Sequence, residues 1–108
     1  MTISEPELQW IGVDLDNTLA HNTGYPEFKL TTPLDGALPA MKEMNKKWKI
    51  TIYTARHWGD YKDIEDWLNL HGIPFRRIIC GKPLFKFIID DKNIEFDGSW
   101  TKTMKKIS

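Results

Sequence analysis

The chain has 108 residues, of which 15 are basic and 15 acidic, so its formal net charge is zero. That length fits one domain, residues 1–108, with enough buried surface for a core of its own. The balance of charge excludes a generic binder of nucleic acid or anionic membrane, which needs a basic excess, and the single cysteine, Cys80, excludes an intrachain disulfide and the cysteine-rich zinc sites.

Residues 1–9 are polar and acidic and lack the apolar stretch of a secretory signal. No apolar run approaches the ~20 residues that span a bilayer. The expectation is a reduced, cytoplasmic protein.

The first apolar packet, Trp10-Ile11-Gly12-Val13-Asp14-Leu15, reads as a strand running into Asp16-Asn17-Thr18. From Thr18 to Leu34 there is room for a flap-sized loop around His21-Asn22-Thr23-Gly24-Tyr25-Pro26. Leu38, Met41, Met44 and Trp48 then recur at spacings of three and four, with Lys42, Glu43, Lys46 and Lys47 between them. This predicts an amphipathic helix over 37–47. Pro39 is tolerated only in a first turn, so the helix should begin near Asp35 or Gly36.

The second strand is 48–53, ending at Tyr53-Thr54-Ala55-Arg56. A second helix, 60–71, is carried by Ile64, Trp67, Leu68 and either Leu70 or His71, with Asp60 as its N-cap and Gly72 as its stop. A third strand, 75–80, ends at Gly81-Lys82-Pro83, and a fourth, Phe87-Ile88-Ile89, ends at Asp90-Asp91-Lys92. The tail with Lys102, Lys105 and Lys106 reads as a solvated end. Trp10, Trp48 and Trp67 follow the apolar pattern and are expected in the core. Trp58 and Trp100 do not, and are candidates for a pocket or a subunit interface.

Strands alternating with helices give an α/β fold with a mainly parallel sheet. Such sheets bind ligands beyond the carboxyl ends of their strands. Four strand ends here would deliver four carboxylates, a hydroxyl and an ammonium to one rim. Crowded carboxylates repel unless a cation lies between them, and hard oxygen donors suit Mg2+. A metal and a lysine together neutralise a transferring phosphoryl group. One carboxylate can attack phosphorus, and a second, two residues on, can serve as acid and base.

These residues resemble the motifs of the haloacid dehalogenase (HAD) superfamily of phosphohydrolases. Asp14-Leu15-Asp16-Asn17-Thr18 is similar to the first motif, Asp-x-Asp-x-Thr. Thr54 is similar to the second, Lys82 to the third and Asp90-Asp91 to the fourth, over residues 9–96. The resemblance implies a three-layer Rossmann-like fold without a cap domain. It makes Asp14 the nucleophile and a Mg2+ ligand. Asp16 is the general acid/base, with its backbone carbonyl on the metal. Thr54 and Lys82 hold phosphoryl oxygens, and Asp90 and Asp91 complete the metal site. An acidic residue at Asp16 goes with phosphate chemistry in this superfamily. A looser similarity links the strand ends to small phosphatases of capsule and polysaccharide biosynthesis.

Thr18 and Arg56 are candidate substrate contacts, Arg56 because its planar fork grips phosphate or carboxylate oxygens and rivals Lys82. Cys80 is expected as a buried strand residue, and His21 and His57 as ordinary loop histidines. The expected activity is hydrolysis of a phosphomonoester: a phosphosugar, a nucleotide or a macromolecular phosphate. A phosphotransferase or phosphomutase activity on the same site is the first alternative, and a non-catalytic receiver-like or metal-binding domain the second. Without a cap the crevice is open, and a second copy of the chain is one candidate cover.

Overall fold

The computed structural model describes residues 7–107. Along the chain lie β1 (Gln9–Val13), β2 (Ala20–Asn22), β3 (Leu30–Pro33), α1 (Ala37–Asn45), β4 (Trp48–Tyr53), α2 (Tyr61–Leu70), β5 (Arg77–Ile79) and α3 (Trp100–Ile107). A single 3-10 turn, Trp58–Asp60, leads into α2. Among the described residues no helix is long and apolar enough to cross a membrane.

The centre is a parallel sheet in the order β1-β4-β5. Ile52 of β4 stands opposite Val13 of β1 and opposite Ile78 of β5. Ile50, Thr51 and Ile52 are all buried. Three consecutive buried residues mark a strand covered on both faces, which is why its apolar run does not alternate. Because β4 is central, α1 and α2 each link two parallel strands, as crossovers must.

Helix α1 begins where Pro39 requires, with Gly36 as its N-cap at φ 79°. It buries Ala37, Ala40, Met41 and Met44. Burial of each methionine contributes roughly 1.5–3 kcal/mol. Helix α2 buries Ile64, Trp67 and Leu68, and His71 rather than Leu70 completes that face: its ring lies 4.6 Å from Trp67, while Leu70 is exposed. Gly72 ends the helix at φ 68°. The Asp60 side chain makes no capping hydrogen bond.

The structure departs from the sequence reading in four places. The flap-sized loop is an antiparallel hairpin of β2 and β3. The lysine-rich tail is helix α3, because Trp100 and Thr103 are buried while Met104 and Ile107 pack against the core. Trp10 is half exposed, with the Arg77 guanidinium 4.0 Å and the Lys49 ammonium 5.5 Å from its ring centre. Cations over an indole face stabilise it without burial. Finally, residues 84–95 form no strand or helix, and Phe87 and Ile89 are exposed. The sheet therefore has three parallel strands rather than four. A short apolar run becomes a strand only when it docks its backbone groups on a sheet edge; among the described residues β1 pairs with β4 alone, and its other edge takes no strand.

Candidate active site

The turn after β1 builds the site. Leu15 and Leu19 are fully buried, and the Leu15 carbonyl accepts from the amides of Leu19 at 2.9 Å and Ala20 at 3.0 Å. Asn17 takes a left-handed conformation at φ 60° and donates its amide to the Ala20 carbonyl at 2.8 Å. Asparagine tolerates that conformation better than most residues. Leu15 anchors the turn between the partly exposed carboxylates of Asp14 and Asp16.

The loops after β4 and β5 are tied together by backbone bonds. The Thr54 amide donates to the Ile79 carbonyl at 2.9 Å, Lys82 to Thr54 at 2.9 Å, and Gly81 to Arg56 at 2.8 Å. This extends the ladder past the regular strands and fixes Thr54, Arg56 and Lys82 relative to each other. Thr54 is fully buried, and its hydroxyl accepts from the Arg56 amide at 3.1 Å. Lys82 Nζ stands 3.8 Å from Asp14 Oδ1 and 5.3 Å from the Tyr53 ring centre. Thr18 donates its hydroxyl to Asp14 Oδ2 at 3.4 Å.

Asp16 is held differently. Arg56 donates Nε–H to Asp16 Oδ2 at 2.8 Å and Nη2–H to Oδ1 at 2.7 Å. Asn22 of the hairpin adds a bond from Nδ2 to Oδ1 at 2.9 Å, and Arg56 Nη2 also donates to the Phe28 carbonyl. Burial pushes the Asp14 carboxyl above its ordinary range, aided by the nearby Asp16 charge. Lys82, the Leu15 amide and Thr18 oppose the rise. The bond to Asp16 holds the Arg56 guanidinium more firmly protonated than usual.

Six predicted residues thus gather around one point: Asp14, Asp16, Thr18, Thr54, Arg56 and Lys82. A cleft of about 900 Å³ opens beside β1, with Asp14, Thr18, Lys82 and Asp90 among its walls. Asp90 reaches this cleft from irregular chain, not from a strand end. Its carboxylate accepts from the Lys92 amide at 2.9 Å, a bond that holds its carboxyl below the ordinary range. Asp91 faces solvent beside Lys92 at 3.8 Å. Among the described residues no three acidic, histidine or cysteine side chains are gathered closely enough to hold a metal. His21 and His57 are exposed. Cys80 is buried, and its thiol is pushed up by that burial and by the charge of Asp60.

Sequence reasoning missed the roles of Asn22 and the Phe28 carbonyl, whereas Trp100, a candidate pocket residue, does line the cleft. Trp100 is buried and donates Nε1–H to the Thr18 carbonyl at 2.8 Å. Helical spacing of Trp100, Thr103, Met104 and Ile107 was the available signal for α3. Nothing in the sequence spacing ties Asn22 to Asp16, because the hairpin register decides it.

No family model matches the chain, and no curated protein matches it. Its fold is similar to a crystal structure of a structural-genomics target from Vibrio cholerae. The TM-score is 0.64 at 22% identity, over 94% of this chain and 100% of that one. At that identity the likeness carries the fold: a small, compact α/β arrangement of a parallel sheet, a small antiparallel sheet and helices.

Proposed function

We propose that the protein is a Mg2+-dependent phosphomonoesterase of the HAD type, with a three-layer Rossmann-like fold and no cap domain. The observation that carries the reading is the arrangement at the end of β1. Asp14 lies 3.8 Å from the Lys82 ammonium. Asp16, on the other side of a buried leucine, is fixed by a two-pronged arginine. Asp14 supplies a carboxylate oxygen to attack phosphorus, forming an acyl phosphate as the bond to the leaving oxygen breaks. Asp16 gives a proton to that leaving oxygen. It then takes one from the water that hydrolyses the acyl phosphate. Lys82 and the Thr54 loop neutralise and orient the phosphoryl oxygens.

The donor set fits Mg2+ in kind. Asp14 and Asp90 both line one cleft, and the Asp16 carbonyl and Asp91 join them on the resemblance. A partly buried carboxylate that its surroundings disfavour is a group that a divalent cation relieves. When bound, Mg2+ would supply charge neutralisation to the phosphoryl oxygens. The substrate class is a phosphorylated sugar, nucleotide or macromolecule, and the setting is cytoplasmic, in keeping with one buried free thiol.

The test is hydrolysis of p-nitrophenyl phosphate with Mg2+ and with EDTA. Asp14→Asn should lower turnover by at least about a hundredfold, as loss of a nucleophile does. Full activity in that variant, or no dependence on Mg2+, overturns the reading.

A further inference from the structure

We propose that Arg56 is a positioning residue that acts through Asp16, fixing its Oδ2 as the oxygen that takes the proton of the hydrolytic water. The proposal rests on the phosphatase reading above. Arg56 lies beyond β4, where its fork is free to meet either a substrate or a neighbour. In the structure the fork meets Asp16 with one N–H bond to each carboxylate oxygen, of 2.8 and 2.7 Å. The side chains are only 17% and 28% exposed, so the pair is shielded from the screening that weakens surface ion pairs. A two-pronged contact fixes the plane of a carboxylate as well as its position.

The two Asp16 oxygens are unequal. Oδ1 accepts from both Arg56 Nη2 and Asn22 Nδ2, which fills its two acceptor directions. Oδ2 accepts from Arg56 Nε alone among the described residues. One acceptor direction on Oδ2 therefore stays open for a water O–H. Asn22 is itself oriented, because its Oδ1 accepts from the Gly24 amide at 2.8 Å. Arg56 reaches the same hairpin a second time through the Phe28 carbonyl. The hairpin thus buttresses Asp16 from Asn22 and steadies Arg56 from Phe28.

In the hydrolytic step the water oxygen bonds to phosphorus and its proton moves to Asp16 Oδ2. The bond between phosphorus and the Asp14 oxygen breaks, returning Asp14 as a carboxylate and releasing phosphate. Asp16 keeps that proton, which restores the acid that protonates the next leaving oxygen. An aryl phosphate needs little help with its leaving group, so loss of positioning falls on this second step.

The experiment is rapid-quench kinetics of p-nitrophenyl phosphate with Mg2+, comparing wild type with Arg56→Ala and Arg56→Lys. The lysine keeps the charge but not the fork. Both variants should lose about a hundredfold or more in kcat, the scale of general-base catalysis. They should show a nitrophenol burst near one per site, accumulate acid-trapped phosphoenzyme, and have a lower KM. Arg56→Ala should also speed amide exchange in residues 22–29. A rise in KM alone would make Arg56 a substrate contact, and a fall in kcat without burst or phosphoenzyme would place it elsewhere; either overturns the proposal. Full activity in Arg56→Lys overturns the role of the fork. Should Arg56→Ala fail to fold, Arg56→Gln carries the same test. A wild type that hydrolyses no phosphomonoester refutes the phosphatase reading and this proposal with it, whereas an active wild type with burst-free variants refutes the proposal alone.

Discussion

Replacing Trp100 with phenylalanine isolates the link between α3 and the candidate site. Trp100 is 4% exposed, and its Nε1–H is bonded to the Thr18 carbonyl at 2.8 Å. Its ring centre stands 5.1 Å from that of Phe96. Phenylalanine keeps the apolar contact and removes the donor. A typical hydrogen bond contributes about 1 kcal/mol net, and a buried carbonyl left unpaired costs about 1–3 kcal/mol. Those figures overlap, since both describe the same bond. The smaller ring forfeits roughly another 1 kcal/mol of burial. The expected loss is about 2–4 kcal/mol, or a fall of ~8–30 °C in melting temperature for a domain of this size. Urea titration followed by far-ultraviolet circular dichroism gives the free energy directly, with the slope showing whether the unfolded state has changed. Turnover should fall as well, because Thr18 both accepts from Trp100 and donates to Asp14. A loss under about 0.5 kcal/mol with the same slope would refute the reasoning.

Three further outcomes are expected. Asp14 has its carboxyl raised above its ordinary value by burial, so between those two values the native state binds more protons than the unfolded one. Stability then falls as pH rises through that window and stays lower at neutral pH; Asp14→Asn should melt higher than wild type at pH 7 in EDTA, and the gap should close below pH 3. Gly36→Ala should cost at least about 1–2 kcal/mol, because φ is 79° and the added Cβ would lie 3.3 Å from Trp100 Cβ; a denaturation curve that matches wild type refutes this. Cys80 is buried with its thiol pushed up, so it should react with a disulfide reagent far more slowly in native buffer than in urea, and equal rates would contradict the burial.

The sequence by itself determined the elements whose signals are local. Pro39 placed the start of α1 near Asp35 or Gly36 because its ring fixes the backbone, and Gly72 placed the end of α2 because glycine takes the left-handed conformation that stops a helix, whatever packs nearby. The burial of Met41, Met44, Ile64, Trp67 and Leu68 followed from helical spacing alone. The gathering of Asp14, Asp16, Thr54 and Lys82 was legible too, since parallel strands bring their carboxyl ends to one rim whatever their order.

Tertiary structure decided the rest. The run Phe87-Ile88-Ile89 has the composition of a strand, but pairing needs an edge, and composition does not say which edge is accepted. Trp10 reads as core, yet its ring lies under Arg77 from a strand 67 positions away in the chain. The lysines of α3 masked its apolar face, which is defined by the surface of α1 and the core it meets. The site carries the same lesson. Arg56 looked available for substrate, and only the folded chain sets its fork against Asp16 and the hairpin. Interactions between residues 40 apart in sequence have no local signature, because their geometry is the product of every turn between them.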